Sequence, residues 1–274
     1  MRKITEASES LTTSATNLLK ITFCRTLIDV ANVSFGHQSM SFRKGKVESS
    51  LLSFCKAEDS VAASWSRSAS TITAAALSPI AESPRVLLCD ARHLSTALNP
   101  DHYSCVISSP PYPNRMSYIR ELRPYMYWLG YLQDKRTAGD MDWQAIGGTW
   151  GCATSNLTKW EPEREVKIAH DQFPSILQNI AKHSPLLSRY VHKYFYDMVI
   201  HSEELFRVVR PGGTVNYIVG NSKFYDVLLP VESLFTSVFG SVGFEEVSVR
   251  AIRKRTSKKE LFEFVVSARK RRGK

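Results

Sequence analysis

The segment that most constrains the fold is YSCVISSPPY, residues 103–112, in which an apolar run ends at two consecutive prolines. Proline fixes the backbone angle φ and has no amide hydrogen, so Pro110 and Pro111 cannot continue a strand ladder. Each proline also pushes the residue before it toward an extended backbone. The sequence therefore predicts a strand that ends at Ser109 and turns into a stiff, extended elbow whose carbonyl groups lack local partners.

Apolar runs elsewhere in the chain predict the other elements of an α/β sheet. RVLLC, residues 85–89, and YSCVISS, residues 103–109, are short apolar runs bounded by turn residues, as in buried parallel strands. A helical stripe from Ser188 ends at the turn RPGG, and TVNYIVG, residues 214–220, follows as a buried strand. EEVSVRAIR and LFEFVVSAR, joined by the basic turn KRTSKKE, favour a hairpin. These elements indicate the carboxyl half of an α/β sandwich with a mainly parallel sheet.

The same patterns divide the chain into regions. Residues 1–84 are predicted to form an N-terminal helical segment, with an amphipathic helix over 16–34 and a weaker helix over 49–78. Residues 133–185 mix Gly, Trp, Lys and Pro without clear periodicity, which indicates a long irregular insertion of the kind that tends to be functional. The remaining regions are the core of sheet and helices over 85–132 and 186–270, and a basic tail over 271–274.

Basic residues concentrate near the carboxyl terminus of the chain, whose net charge is +10. From Arg250 to Lys274 there are eleven Lys and Arg residues against two acids, Glu260 and Glu263. Such a cluster is either a solvated face or a surface that binds phosphate groups, and the sequence favours neither interpretation over the other.

Composition argues against several classes of protein. The five cysteines never occur as CxxC pairs, which indicates neither a zinc site nor a disulfide framework. The amino terminus lacks the apolar run of a signal peptide, and no segment reaches the ~18 apolar residues of a membrane span. The sequence therefore predicts a protein of a reducing cytoplasm that needs no metal and does not contact a membrane.

The stretch VISSPPYPNRMSYIRELRPYMYWLGYL, residues 106–132, resembles the catalytic motif of DNA amino-methyltransferases. These enzymes methylate adenine N6 or cytosine N4 with S-adenosylmethionine, and their motif places Asp, Asn or Ser, then Pro-Pro, then Tyr or Phe after the fourth strand. RPGGTVNYIVGNS, residues 210–222, resembles the strand that packs beside the catalytic strand in that family. The resemblance implies a Rossmann-like methyltransferase sandwich, in a prokaryotic cytoplasmic enzyme that acts on double-stranded DNA.

The resemblance assigns roles to the residues of the elbow. Ser109 and Pro110 match the positions whose oxygens accept hydrogen bonds from the amino group of the target base, and Pro111 matches the second, shape-setting proline. Tyr112 matches the aromatic residue that stacks on a base extruded from the duplex. Asp90, which ends VLLCD, matches an acidic residue near the adenine of the cofactor. Such oxygens, held rigidly, favour a pyramidal amino nitrogen and expose its lone pair to the sulfonium methyl group.

Two features of the family are missing from this sequence. Its glycine-rich cofactor loop, of the form DPFxGSGT, has no match, and neither do the first two strands of its sheet. Those strands lie between the third and the fourth in the family, so RVLLC and YSCVISS would each be left with an unpaired apolar edge. Either the chain is cut from a longer protein or a second polypeptide inserts the missing strands. We favour the second interpretation, which implies a catalytic subunit of a split methyltransferase that works as a heterodimer.

Candidate DNA-binding residues lie beyond the elbow. Arg115, Arg120 and Arg123 follow it directly and could contact phosphates or pair with neighbouring acids. Trp150 and Lys159 belong to an aromatic and basic part of the insertion that could read bases. The alternative for the insertion is that its Trp side chains cover a small satellite core.

The exact reaction and setting are open at this level. Ser at the first position of the elbow is the more frequent choice of cytosine-N4 enzymes, so N4-cytosine is favoured over N6-adenine. An RNA amino-methyltransferase and a non-catalytic DNA-binding or assembly subunit are the rival interpretations. The usual setting of the family is restriction-modification or defence, and for this chain that setting is an analogy.

Overall fold

The computed structural model describes most of the chain. The described residues are 6, 10–31, 33–34, 41–42, 51–78, 80, 82, 84–114, 117–149, 152–255 and 260–272. They belong to two compact units. Unit 1 comprises the described residues within Met1–Arg85 and Tyr118–Ala138, and unit 2 those within Val86–Ser117 and Gly139–Lys274.

The described residues form both α-helices and β-strands. The α-helices are α1 (Thr13–Val30), α2 (Leu51–Ala76), α3 (Tyr118–Trp128), α4 (Lys135–Gln144), α5 (Cys152–Lys159), α6 (Phe173–His183), α7 (Pro185–Val208) and α8 (Val231–Ser241). The strands are β1 (Val33–Ser34), β2 (Ser41–Phe42), β3 (Tyr103–Ser108), β4 (Val209–Gly220), β5 (Ser222–Phe224), β6 (Val227–Leu229), β7 (Phe244–Lys254) and β8 (Phe262–Lys270).

Unit 1 is built mainly from helices α1, α2 and α3. The predicted helices over 16–34 and 49–78 are confirmed as α1 and α2, with slightly different ends. The Ser64 hydroxyl of α2 donates a hydrogen bond to the Asp29 carboxylate of α1 at 3.0 Å. Phe23 of α1 meets Trp128 of α3 edge to face, with ring centroids 6.0 Å apart. This packing groups α3, which the sequence analysis assigns to the core region, with the N-terminal helices.

Unit 2 contains a four-stranded sheet in the order β3-β4-β8-β7. β3 pairs with β4 in parallel, with Cys105 opposite Thr214 and Ser108 opposite Tyr217. β8 runs antiparallel to both β4 and β7, so β3, β4 and β7 point in the same direction. The predicted neighbouring strands over 103–109 and 214–220 and the C-terminal hairpin are therefore confirmed.

The turn RPGG is incorporated into the start of β4 rather than separating it from α7. Tyr103 pairs with Val209 whereas Cys105 pairs with Thr214, so β4 bulges between these two pairs. Gly212 lies in the bulge with a φ of 79°, a backbone conformation that glycine adopts without steric cost.

The predicted buried strand over residues 85–89 is wrong. Residues 84–90 form no strand, and the side chains of Val86 and Leu88 are 94% and 104% exposed. A short apolar segment becomes a strand only where a neighbour supplies a hydrogen-bonding edge. Within the described part of the sheet β3 pairs with β4 alone, so nothing bridges residues 85–89 to the sheet.

One face of the sheet is covered by α7 and α8. Val215, Tyr217 and Val219 alternate along β4 and point toward this face, where each is at most 1% exposed. The Tyr217 ring meets Phe235 and Phe239 of α8 edge to face, with centroids 5.8 and 5.3 Å apart. The helical stripe predicted from Ser188 is confirmed in α7, and its fully buried members include Val191, Tyr194, Phe195 and Met198.

The predicted irregular insertion over 133–185 is wrong in its secondary structure, because it contains α4, α5 and α6. Helix α6 repeats apolar residues at Phe173, Ile176 and Ile180, all of which are buried in the core that includes α7. Short helices separated by Gly and Pro do not produce a periodic pattern long enough to be recognised in a sequence. The insertion therefore adds to the packed core of unit 2.

Membrane-spanning helices and metal clusters are absent from the residues that the structure describes. None of their helices combines the length and apolar character needed to cross a membrane. Among the same residues, no three His, Cys, Asp or Glu side chains converge in a way that would hold a metal ion.

His201 of α7 is held between a loop and the sheet. Its Nδ1 lies 2.7 Å from the Ala91 carbonyl oxygen and therefore donates to it. Its Nε2 lies 2.5 Å from the Tyr217 hydroxyl, which donates to the ring. Burial lowers the pKa of His201 and raises the pKa of Tyr217, because both charged forms would lose hydration. The neutral imidazole is therefore part of the folded core.

This histidine predicts a loss of stability on acidification. The unfolded chain takes up a proton at His201 near its ordinary pKa of about 6.5, whereas the folded protein does not. The free energy of unfolding should therefore fall as the pH drops below about 6.5, with up to about 1.4 kcal/mol per pH unit from this residue. Urea unfolding at a series of pH values measures the slope. His201→Gln should reduce the slope of the free energy of unfolding against pH, whereas His102→Gln, at an exposed position, should leave that slope unchanged. Equal slopes in wild type and His201→Gln would contradict the assignment.

Candidate functional site

The elbow begins at the carboxyl end of β3. The strand ends at Ser108, one residue earlier than predicted, and residues 109–112 form no regular structure. Ser109 is exposed, whereas Pro110 is buried. The Ser109 hydroxyl makes a long contact of 3.5 Å with the Tyr112 hydroxyl. The backbone of the elbow is therefore packed against the protein while the Ser109 oxygen faces solvent.

Two hydrogen bonds fix the second half of the elbow. The Tyr194 hydroxyl of α7 donates to the Pro111 carbonyl oxygen at 2.6 Å, and the Asn114 amide donates to the Tyr112 carbonyl oxygen at 2.8 Å. The expectation that the elbow carbonyls lack local partners is therefore wrong for Tyr112, whose partner is two residues away, and holds for Pro111, whose donor comes from a distant helix. No residue in the described part of the chain donates to the Pro110 carbonyl oxygen. That carbonyl and the Ser109 hydroxyl remain as acceptors for a bound molecule.

The Tyr112 ring lies against the end of β4. A Cβ atom placed on Gly220 would stand 3.0 and 3.2 Å from two carbons of this ring, closer than ordinary van der Waals contact. The absence of a side chain at Gly220 therefore determines where the ring can lie. The Arg255 guanidinium carbon is 5.9 Å from the ring centroid, and its Nη1 donates to the Asn221 carbonyl oxygen at 3.4 Å. β3, β4 and the end of β7 thus meet at Tyr112.

Asp90 lies in a turn that is closed by Arg92. The Arg92 amide donates to Asp90 at 2.8 Å, and its guanidinium donates to the same carboxylate at 3.0 and 2.7 Å. The hydrogen bonds from the Arg92 side chain lower the pKa of Asp90. Arg92 also donates to Asp197 at 3.2 Å and to the Gln144 carbonyl oxygen at 2.8 Å. The Asp90 carboxylate is therefore ionised and already engaged.

A cavity of about 260 Å³ opens beside this turn. Buried Lys193 and Asp197, one helical turn apart on α7, form an ion pair of 2.6 Å in its wall. The Lys193 ammonium also lies 4.8 Å from the centroid of the Trp143 ring. The cavity wall therefore combines aromatic surface with charged groups that already neutralise one another. Its lining includes Arg92, His93, Trp143, Trp160, Lys193 and Asp197.

The structure describes three of the five predicted DNA-binding residues. Arg115 and Trp150 lie outside the described residues. Arg120 and Arg123 are half-buried on α3 in unit 1, whereas the elbow belongs to unit 2. Lys159 is exposed in the last turn of α5. These assignments stay predictions.

The alternative interpretation, in which the Trp side chains of the insertion cover a small core, agrees with the position of Trp160. The Trp160 ring packs edge to face against His192 and Tyr196 of α7, with centroids 5.4 and 5.5 Å apart. Its position follows from helix packing, and it also lines the cavity beside Asp90.

Three residues that contact the elbow escaped the sequence analysis: Tyr194, Gly220 and Arg255. Tyr194 belongs to the helical stripe of α7. The stripe predicts that its ring is buried but does not predict which group its hydroxyl bonds. Gly220 ends the strand TVNYIVG, and a glycine after a buried strand signals close approach of another group. Arg255 is one of many basic residues near the carboxyl terminus, so its neighbour could not be recognised.

The chain has relatives among characterised proteins, although no known family profile matches it. It is 24% identical over 157 residues to the Type II methyltransferase M.AvaI, from Nostoc sp. strain PCC 7120 and from Anabaena variabilis. That alignment covers 53% of this chain and 31% of M.AvaI. It is 20% identical over 181 residues to the Type II methyltransferase M.BsoBI of Geobacillus stearothermophilus, covering 58% of this chain and 34% of M.BsoBI. The chain thus spans about a third of the length of these relatives.

Solved structures give a weaker likeness. A Thermus thermophilus protein assigned as a DNA modification methylase is 15% identical, with a TM-score of 0.34, over 67% of this chain and 51% of its own. A crystal form of the same protein with S-adenosyl-L-methionine has a TM-score of 0.35 and covers 52% of that chain. The sequence relatives, which are Type II methyltransferases, carry the comparison.

Removal of the Tyr194 hydroxyl should loosen the elbow without unfolding the protein. Tyr194→Phe keeps the buried ring but removes the donor to Pro111, which should lower the free energy of unfolding by about 1 kcal/mol. Hydrogen exchange at the Asn114 amide should become faster, because that amide closes the adjoining turn. Tyr196→Phe on the same helix is the matched control, since the Tyr196 hydroxyl accepts a 3.4 Å contact from the Arg164 amide, away from the elbow. Unchanged exchange in Tyr194→Phe would show that the elbow is rigid without this hydrogen bond.

Proposed function

We propose that this chain carries the catalytic elbow of an S-adenosylmethionine-dependent DNA amino-methyltransferase. The observation that carries the proposal is the elbow itself. Ser109 is exposed, no described residue donates a hydrogen bond to the carbonyl oxygen of buried Pro110, and the backbone is fixed through Tyr194. The methyltransferase relatives support the same chemistry. Ser109, Pro110, Pro111 and Tyr112 are the proposed site residues.

The elbow acts on the amino group of the target base. The lone pair of that nitrogen is delocalised into the ring, so the amine is a weak nucleophile. Ser109 Oγ and the Pro110 carbonyl oxygen accept hydrogen bonds from the two N–H groups of the amine. These hydrogen bonds favour a pyramidal nitrogen. With S-adenosylmethionine bound, the nitrogen would take the methyl carbon as the carbon–sulfur bond breaks, and the amine would release one proton to water. Tyr112 stacks on the extruded base and aligns it for the transfer.

S-adenosylmethionine supplies an electrophilic methyl group in this reaction. The described residues do not make a complete site for it, because Asp90 is the proposed cofactor residue and its carboxylate is already bonded to Arg92. We therefore propose that the main contacts to the cofactor come from chain outside the described residues. This requirement agrees with the absence of a glycine-rich loop from the sequence.

A second polypeptide is the proposed source of these contacts, in a heterodimer. β3 pairs on one side only within the described sheet, and Ile107 on this strand is 76% exposed. The apolar side chains of Val86 and Leu88 are also exposed. Soluble proteins usually cover apolar sheet edges, so added strands beside β3 would complete the sheet.

The preferred substrate is the N4 amine of cytosine in double-stranded DNA, with adenine N6 as the second candidate. Ser109 supports this preference by its resemblance to cytosine-N4 enzymes, and a restriction-modification or defence setting accompanies it. Structured RNA and a non-catalytic assembly role are the rival functions. An exposed, intact Ser109 on a fixed backbone speaks against a relic of a lost site.

The elbow predicts the outcome of a methylation assay. We expect the chain, purified with its second polypeptide, to transfer labelled methyl groups from S-adenosylmethionine to duplex DNA. Ser109→Ala and Tyr112→Ala should lower the rate on the order of 10²-fold, because each removes a group that orients the amine or the base. Ser104→Ala, at an exposed serine on β3, should leave it unchanged. Full activity in Ser109→Ala would rule out the mechanism, and transfer to structured RNA alone would favour the rival substrate.

The open edge predicts protection of a thiol. Cys105 of β3 is exposed, so in the isolated chain it should react readily with a maleimide. Added strands beside β3 should slow this reaction at least tenfold, on the order expected for a group that passes from exposed to covered. Half-buried Cys24 in unit 1 should react at the same rate with and without the second polypeptide. Mass spectrometry of the peptides measures both rates, and equal reactivity of Cys105 in the two states would exclude this docking edge.

A further inference from the structure

The β7–β8 hairpin divides the basic residues near the carboxyl terminus into two groups. Lys254 pairs with Phe262 at one end of the hairpin, and Phe244 pairs with Lys270 at the other. A strand of this length separates the two ends by about 30 Å, at about 3.4 Å per residue. The charge that looks continuous in the sequence therefore lies at two distant places.

The group at the Lys270 end is engaged by the protein itself. Arg269 donates to Glu246 at 2.9 Å and to the Gly212 carbonyl oxygen at 2.8 Å. Lys270 pairs with Asp101 at 2.7 Å, and Arg271 lies 3.8 Å from Glu245. Each of these three cations has an acidic partner and therefore a structural role, whereas exposed Arg272 forms no ion pair with a described residue.

The group at the Lys254 end is different because it lies beside the elbow. Arg253 pairs with Glu263 at 2.6 Å, which lowers the pKa of that carboxyl group. In the described part of the chain no carboxylate lies within ion-pair distance of Arg255 or of exposed Lys254. The nearby acid is therefore ion-paired with Arg253, and the charge of Arg255 makes a smaller contribution to its lowered pKa.

The Arg255 side chain is held by weak contacts alone among the described residues. Its guanidinium makes the 3.4 Å contact to the Asn221 carbonyl oxygen and lies over the Tyr112 ring. A guanidinium has five N–H donors, so most of them are left for another acceptor. These donors are available next to the proposed base-stacking ring.

We propose that Arg255 binds a phosphate of the nucleic-acid strand that carries the base held against Tyr112. This inference rests on the proposed function, since it takes Tyr112 as the stacking residue. An arginine fork presents several N–H donors to phosphate oxygens and can at the same time stay near an aromatic ring. Phosphate contacts fix the register of a protein on its nucleic acid. Arg255 would thus position the backbone of the extruded nucleotide while the elbow holds its amino group.

The position of Arg255 explains why it should matter more than its basic neighbours. Its Nη1 would lie 3.3 Å from a Cβ on Gly220, and the same Cβ would lie 3.0 Å from the Tyr112 ring. Both side chains therefore meet over one small residue at the end of β4. A phosphate bound by Arg255 would neutralise a cation that has no carboxylate partner among the described residues. The negative charge of a phosphate thus complements the positive charge of Arg255 beside Tyr112.

Binding of a DNA duplex by the full chain, with its second polypeptide, tests the proposal. Fluorescence anisotropy at several salt concentrations gives the slope of log K against log salt. Arg255→Ala should reduce the magnitude of this slope by about 0.9, as expected for one lost phosphate contact. If the variant and the wild type bind equally at about 1 M salt, the variant should bind roughly eightfold more weakly than the wild type at about 0.1 M salt. Arg255→Lys should retain the slope because it retains the charge. Arg271→Ala, at the far end of the same hairpin, should resemble wild type.

The outcomes separate this inference from the proposed function. An unchanged slope in Arg255→Ala, with wild type still binding and methylating DNA, would overturn the role of Arg255 alone. An equal loss in Arg271→Ala would show that only general charge matters and would also overturn it. Failure of the wild-type protein to bind DNA would overturn the proposed function itself. Circular dichroism of each variant confirms that the hairpin remains folded.

Discussion

The hydrogen bond between the Tyr194 hydroxyl and the Pro111 carbonyl oxygen joins the elbow to the core, and the candidate site depends on it. Tyr194 is 1% exposed on α7, so its hydroxyl is fixed by the packing of the whole helix. A proline pair makes the elbow stiff but does not determine where it points. The buried tyrosine supplies that direction. The backbone that carries the Ser109 and Pro110 oxygens therefore keeps one position relative to the sheet.

The end of β4 supplies the second constraint. Gly220 leaves space that the Tyr112 ring occupies, and Arg255 reaches the same corner from the end of β7. The sheet order β3-β4-β8-β7 makes this possible, because β4 and the hairpin bring their ends to one edge. Ligands of α/β proteins usually collect at such carboxyl ends of parallel strands. The open side of β3 lies next to this corner in the sheet order, and the proposed second polypeptide would complete the sheet there.

Several expectations failed for identifiable reasons. Residues 85–89 have the composition of a buried strand but form none, because strand formation requires a hydrogen-bonding neighbour that composition does not reveal. The region 133–185 contains three helices, because α4, α5 and α6 are each too short for a clear periodic signal. The basic cluster divides into two ends, because the antiparallel pairing of β7 and β8 separates residues that are close in the sequence.

The sequence by itself determined the features that depend on neighbouring residues. Two prolines follow the end of β3, the stripe of α7 follows helical periodicity, and β7 and β8 pair as a hairpin. Only the tertiary structure decided which distant groups meet. Tyr194 reaches Pro111 across 83 residues of chain, and Gly220 and Arg255 reach Tyr112 across longer separations. Such contacts are set by the packing of α7 against the sheet and by strand order, for which no local pattern in the sequence exists.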